Sequence, residues 1–115
     1  MPSCCSTYDD VADTQFNEKI AQRDLARFRR KGPEFTARLL RDLVTAVSGS
    51  DGVLLDVGSG IGALTFELLD RGVTRAIGVD ALAAYVAAAT EEATRRGRID
   101  AVRFVKGDFL KLADL

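Results

Sequence analysis

The sequence predicts an α/β domain on a short parallel sheet, preceded by a helical extension. Three observations lead there. Apolar stretches of strand length recur at 53–57, 76–79 and 101–105. Longer helical patterns, at 61–71 and 83–96, separate them. The first strand runs into a loop with glycine at every second position, Gly58, Gly60 and Gly62. Strand and helix alternating at these lengths imply parallel strands joined by right-handed crossovers.

Each element has its own signal. Residues 1–12 carry no periodicity and read as a flexible tail. From Asp13 onward Phe16, Ile20, Leu25 and Phe28 recur at near-helical spacing with charges between them. Gly32-Pro33 ends that helix, and Pro33 suits the first position of the next, where a missing N–H costs nothing. Phe35, Leu39, Leu40, Leu43, Val44 and Val47 mark one apolar face. Residues 13–50 are thus an N-terminal helical extension, closed by a Ser/Gly/Asp loop at 48–52. Val53 to Val57 is the first strand. Ile61 to Arg71 is a helix with Leu64, Leu68 and Leu69 inward and Gly72 as its stop. Ala76 to Val79 is the second strand, ending at Asp80. An alanine-rich helix follows from Ala83 to Arg96, stopped by Gly97. Ala101 to Val105 is the third strand, followed by Gly107-Asp108-Phe109. Residues 51–115 therefore read as a Rossmann-like cofactor-binding unit.

Composition narrows the function. The chain has 115 residues, enough for one domain with a core but near the lower end for an α/β domain. Hydrophobic residues make up 47%, net charge is −1 and the pI is about 5.4, so nothing points to nucleic acid or a membrane surface. No apolar run approaches the roughly 18 residues of a spanning helix, no secretory signal is visible, and the chain reads as cytoplasmic. Cys4 and Cys5, adjacent in the tail, make neither a disulfide framework nor a tetrahedral metal site and read as reduced thiols. The absence of histidine removes the commonest general base and the commonest metal ligand.

The chemistry concentrates at the strand ends. Asp56, Asp80 and Asp108 follow the three strands and are expected side by side on one sheet edge, where open α/β sheets bind ligands. Any one of them suits a helix cap or turn. Three in a row beside a glycine loop are costly without cationic or hydrogen-bonding partners. The spacing Gly58-x-Gly60-x-x-Ala63 also satisfies the dinucleotide form, with Asp80 well placed for a ribose, so an NAD-binding oxidoreductase domain is the main rival. Asp56 argues against it. A dianionic pyrophosphate is repelled by a carboxylate at the floor of its loop, whereas a sulfonium or ammonium is attracted by about 4 kcal/mol at ~4 Å and an effective dielectric of about 20.

The segments Asp56-Val57-Gly58-Ser59-Gly60-Ile61-Gly62, Gly78-Val79-Asp80 and Gly107-Asp108-Phe109, in this order and at these intervals, resemble the class I S-adenosylmethionine-dependent methyltransferases. The likeness covers residues 53 to 110. More weakly, the basic stretch before Gly32-Pro33, with Gly-Asp-Phe downstream, is similar to small bacterial enzymes near the magnesium-protoporphyrin O-methyltransferases. The class I resemblance implies roles. The loop Gly58, Ser59, Gly60 and Gly62 would line the methionine portion of S-adenosyl-L-methionine, and Asp56 would hold its amino end. Asp80 would accept from the ribose hydroxyls and Asp108 from the adenine amino group. The Phe109 backbone would face the ring, with Ala81 and Leu82 as an apolar wall. The implied reaction is in-line displacement of the sulfonium methyl, a chemistry that calls for no metal, onto a small-molecule acceptor.

Arg27, Arg29, Arg30 and Lys31 have two readings: a solvated helix C-terminus, or a clamp for an acidic substrate. Tyr8 and Tyr85 read as packing residues. The resembled family has a seven-stranded sheet of order 3-2-1-4-5-7-6, so the first strand would be an edge here although its sequence is that of a buried one. The missing C-terminal half, or another chain, is expected against strand 53–57. The 115 residues alone would form a cofactor half-site. A non-catalytic module derived from a shortened enzyme is the second rival.

Overall fold

The computed structural model describes residues 14–48 and 52–108. Cys4, Cys5, Tyr8 and Phe109 lie outside the described residues. Two helices, α1 (Thr14–Lys31) and α2 (Phe35–Ser48), precede β1 (Val53–Val57), α3 (Ala63–Asp70), β2 (Arg75–Asp80), α4 (Ala83–Arg95) and β3 (Val102–Lys106). The strands form one parallel sheet of order β1-β2-β3. This is the Rossmann-like α/β arrangement that the strand–helix alternation predicts.

Glycine ends the helices through local backbone geometry. Gly72 and Gly97 have φ of 111° and 69°, and the residues after them, Val73 and Arg98, donate back to the Leu68 and Ala93 carbonyls at 3.0 and 2.8 Å. These are six-to-one closures that satisfy carbonyls the helix leaves free. Gly32, at φ 76°, closes α1 with an N–H to the Phe28 carbonyl. Several boundaries differ from expectation by one or two residues: α3 begins at Ala63 rather than Ile61, and β3 runs Val102–Lys106 rather than from Ala101 to Val105. Pro33 is not the first residue of α2. With Gly32 spent on capping α1, only Pro33 and Glu34 remain to redirect the chain, and the first helical carbonyl is that of Glu34, accepting from Arg38 N–H at 3.0 Å.

The core lies on one face of the sheet. Phe66 and Leu69 of α3, Ala93 of α4 and Phe28 of α1 pack on Ala76 and Val102, with Leu54 and Phe104 against them. Both crossover helices sit on this face, as right-handed connections of strands in sequential order require. The alanines of α4 have a packing purpose. Ala88 is fully buried against Ala21 and Leu25, so the small side chains let α1 approach closely over α4.

The junction between α1 and α4 holds a charged cluster. The Glu92 carboxylate is 0% exposed and accepts from Arg29 Nε (2.8 Å), Arg95 Nε and Nη2 (2.8 and 2.9 Å) and Arg96 Nε (2.8 Å). The Arg96 guanidinium also lies 4.8 and 4.9 Å from the ring centres of Phe28 and Phe66. Arg29 is therefore a structural anchor of α1.

Among the described residues two apolar surfaces stay open. On β1 the side chains of Val53, Leu55 and Val57 are 73%, 57% and 40% exposed, and Ile77 on β2 is 43% exposed. All four lie on the face opposite the helices. The predicted apolar face of α2 is present but uncovered: Phe35, Leu39, Leu40, Leu43 and Val47 are exposed and no α2 residue is buried. An Arg41–Glu67 ion pair at 2.7 Å helps tie α2 to α3.

Candidate functional site

The glycine loop is pinned to the end of β2. Gly58 and Ser59 N–H both donate to the Val79 carbonyl, at 2.7 and 3.1 Å, and Gly62 N–H closes a turn on Ser59. The glycines do different work. Gly58 and Gly60 have positive φ and nothing within 4 Å of where a Cβ would stand, so their outer side is free to meet a ligand. At Gly62 a Cβ would stand 2.8 Å from the Phe104 ring and 3.0 Å from the Phe66 ring. Its bareness serves the core as well as the turn.

Gly78, which sequence reading used only as part of a motif, is a second such position. A Cβ there would lie 2.5 Å from the Phe104 ring and 2.9 Å from Ser59 Oγ. The Ser59 hydroxyl thus sits over β2. Gly78→Ala is expected to destabilise the domain by about 1–3 kcal/mol, because the ring or the loop must shift. Urea unfolding measures this, and an unchanged midpoint would mean that the ring moves freely.

The three aspartates do not stand side by side. Asp56 pairs with Gly78, and Asp80 with Lys106. Asp56 is therefore one residue inside β1, Asp80 closes β2, and Asp108 lies two residues beyond β3. They form a staircase with a step of about 6–7 Å along the strand direction. The offset arises from the strand register, which sequence position does not reveal. It lowers mutual repulsion and suits an elongated ligand meeting the carboxylates in turn.

Each has a distinct environment. The Asp56 carboxylate is half-buried and accepts from Thr65 Oγ1 at 2.7 Å. Burial pushes its pKa above the usual carboxylate value, the Thr65 hydrogen bond opposes this, and the nearby Asp80 charge adds to the rise. Asp80 braces the loop: Oδ2 accepts from Gly60 N–H and Oδ1 from Leu82 N–H, both at 2.9 Å. Each oxygen keeps a further lone-pair direction. Asp108 is exposed, as are Ala81 and Leu82, and Leu82 is the N-cap residue of α4. Leu82 is thus not buried in helix packing. Thr65, fully buried, escaped sequence reading; the available signal was one hydroxyl on the inward side of an apolar helix.

Over the loop opens a cleft of about 430 Å³. Its floor is Asp56 to Ile61, and its far wall is built by α1, the turn after it and the start of α2, including Asp24, Arg27, Glu34 and Thr36. Tyr85 closes one side, its hydroxyl donating to Asp24 Oδ2 at 3.2 Å, so it links α4 to α1 and lines the cleft as well. No helix among the described residues is long and apolar enough to cross a membrane.

A methyltransferase domain family matches residues 54–114, more than half of the chain, from within β1 to beyond β3. The chain belongs to this methyltransferase domain family. No curated protein matches it. The fold of the methyltransferase domain is shared with a Methanococcus maripaludis protein assigned as an S-adenosyl-L-methionine-dependent methyltransferase, at a TM-score of 0.66 and 21% identity, over 81% of this chain and 42% of that one. It is also similar to an RNA methyltransferase from Salinibacter ruber solved with S-adenosyl-L-homocysteine, at 0.57 and 26%, over 64% of this chain and 49% of that one. The [4+2]-cyclase SpnF is similar at 0.55 and 32%, over 61% of this chain and 26% of that one, so the fold also serves other chemistry. The methyltransferase domain thus spans less than half of each of these structures.

Proposed function

We propose that this domain is the cofactor-binding half of an S-adenosyl-L-methionine-dependent methyltransferase. The observation that carries the reading is Asp56, a half-buried carboxylate at the loop floor, in a cleft whose walls also carry Asp24 and Glu34. Such a lining repels a pyrophosphate and attracts a ligand with sulfonium and ammonium centres. The Salinibacter ruber enzyme, solved with S-adenosyl-L-homocysteine, supports the same cofactor class.

When bound, the cofactor supplies a methyl group already activated on its sulfonium, for in-line displacement by an O, N or C nucleophile. The chain's own residues bind and orient. Gly58, Ser59, Gly60 and Gly62 line the methionine portion, and Asp56 holds the amino end. The free lone pairs of Asp80 receive the ribose hydroxyls, Asp108 receives the adenine amino group, and Ala81 and Leu82 wall the ring. Positioning of this kind carries much of the rate when the donor is activated. An acidic cleft and a net charge of −1 favour a small-molecule acceptor over a polyanion. The same reading has further chain, or another subunit, covering the exposed edge of β1, with residues 1–115 alone holding cofactor without completing an active site.

Calorimetry with S-adenosyl-L-methionine, S-adenosyl-L-homocysteine and NADH tests the proposal. The adenosyl ligands are expected to bind and NADH not; the reverse order would sink it. Asp56→Asn is expected to weaken S-adenosyl-L-methionine about tenfold without gaining NADH. Because the Asp56 pKa is raised, the attraction is present above that pKa and fades on acidification at a higher pH than for an ordinary carboxylate. Affinity measured from pH 7 downward should fall in the wild type and stay flat in Asp56→Asn.

A further inference from the structure

Helix α2 is amphipathic yet has no buried residue, and Phe35 and Val47 at its two ends are 69% and 84% exposed. A 14-residue helix owes most of its stability in water to the packing of its apolar face, so this face calls for a cover. A contiguous apolar patch of this extent marks an interaction surface. Phe35, Leu39, Leu43 and Val47 recur every four residues and so form one ridge, which is symmetric about position 41. Arg41 itself is turned to Glu67 on α3, so no charge interrupts the ridge. When a second α2 runs antiparallel across the first, Phe35 meets Val47 of the other copy and Leu39 meets Leu43. The largest side chain of the four then faces the smallest. The charges beside the ridge match as well. Arg38 and Asp42 lie one turn apart, and the same reversal sets Arg38 of each copy near Asp42 of the other. Among the described residues Arg38 has no ion pair, and its charge reaches Asp42 only through space. Arg41 Nε and Arg71 Nη2 approach Asp42 at Oδ1 alone, at 3.0 and 4.0 Å, which leaves Oδ2 able to accept.

We infer that the apolar face of α2 is a self-association surface, and that it takes a second copy of this chain in a twofold, antiparallel helix pair. Ridges of this kind interdigitate at a crossing of about −50°. The contact is isologous, so each copy satisfies the other and assembly stops at two. Two such faces bury together on the order of 1,000 Å², the lower bound of a specific interface, so the pair is reversible. A further strand laid beside β1 would cover apolar side chains, but it gives no reason for the symmetry of the ridge or for the spacing of Arg38 and Asp42. Nothing in the pairing depends on the cofactor. It does bear on the cleft, because Thr36 and Leu40 carry the other side of α2 into its wall, and a paired α2 holds that wall more firmly. The surface lies wholly outside residues 54–114, the span that matches the family.

Sedimentation velocity on the 115-residue chain, from about 1 to about 200 µM, is the test. The wild type is expected to shift toward twice the 12.4 kDa chain mass as concentration rises. Leu43→Glu is expected to weaken association about 30-fold or more. Arg38→Glu leaves the ridge whole and sets like charges opposite each other, so it should weaken association about 3- to 10-fold. Both positions are exposed in the single chain, so urea midpoints at concentrations where the wild type is monomeric should match the wild type. Orientation is read by cross-linking. With Cys4 and Cys5 replaced by serine, Leu39→Cys and Leu43→Cys chains are expected to join faster with each other than with themselves. Self-joining at an equal or greater rate would mean a parallel pair and overturn the twofold arrangement. A wild type that stays monomeric throughout overturns the inference. So does a dimer that Leu43→Glu leaves intact, which would put the contact elsewhere, as on the edge of β1.

Discussion

Replacing Glu92, buried between α4 and α1, with glutamine is expected to destabilise the domain by about 2–4 kcal/mol. Glutamine keeps the volume but not the charge. Three guanidiniums then crowd a neutral amide, with Arg29, Arg95 and Arg96 all within 2.8–2.9 Å of the present carboxylate oxygens. Burial alone would raise the Glu92 pKa. The hydrogen bonds from Arg95, Arg96 and Arg29 outweigh it and hold the group at about 2, against an ordinary 4.5. A lowered carboxylate pKa stabilises the folded state above the unfolded value, and the contribution is lost as pH falls through the folded one. The window is therefore from about pH 4.5 down to about pH 2, with on the order of 3 kcal/mol at stake. Urea midpoints across that range should fall in the wild type and flatten in Glu92→Gln. Parallel curves would show that the cluster contributes nothing. Since Arg29 sits on α1, the same substitution loosens the wall of the cleft.

Asp80→Ala is expected to weaken S-adenosyl-L-homocysteine binding by about 100-fold or more. Two effects combine. The ribose hydroxyls would lose a charged acceptor, worth roughly 1.5–3 kcal/mol for each hydrogen bond. The glycine loop would lose its brace, because Gly60 N–H and Leu82 N–H both donate to this carboxylate. Asp80→Asn, which keeps one acceptor oxygen, should fall between. Titration calorimetry on both variants separates the effects, and an Asp80→Ala affinity equal to wild type would exclude the ribose from this carboxylate.

Much of the fold was legible along the chain. The strands at 53–57 and near 76–80 and 102–106 follow from apolar runs bounded by turn residues, and Gly72 and Gly97 stop their helices where predicted. These are local matters: a left-handed φ is a property of one residue, and a strand pattern of five. Pro33 was misplaced by two residues because the fate of Gly32 decides how much chain is left for the turn. For the site, the glycine loop and the identities of the aspartates could be read in order. Their staircase could not, since register is an agreement between strands some twenty residues apart.

By itself the sequence determined an α/β domain, the order of its elements, and a run of carboxylates beside a glycine loop, all of them encoded within short windows. Only the tertiary structure decided what those residues touch. It put Thr65 under Asp56, Phe104 over Gly78, and three arginines around Glu92. It separated Arg27, which faces the cleft, from Arg29, which anchors the helix. It left the apolar sides of α2 and β1 uncovered, although their patterns resemble buried ones. The physical reason is the same in each case. A side chain's chemistry is written in its own codon, but burial, pairing and charge balance depend on neighbours that only folding brings near.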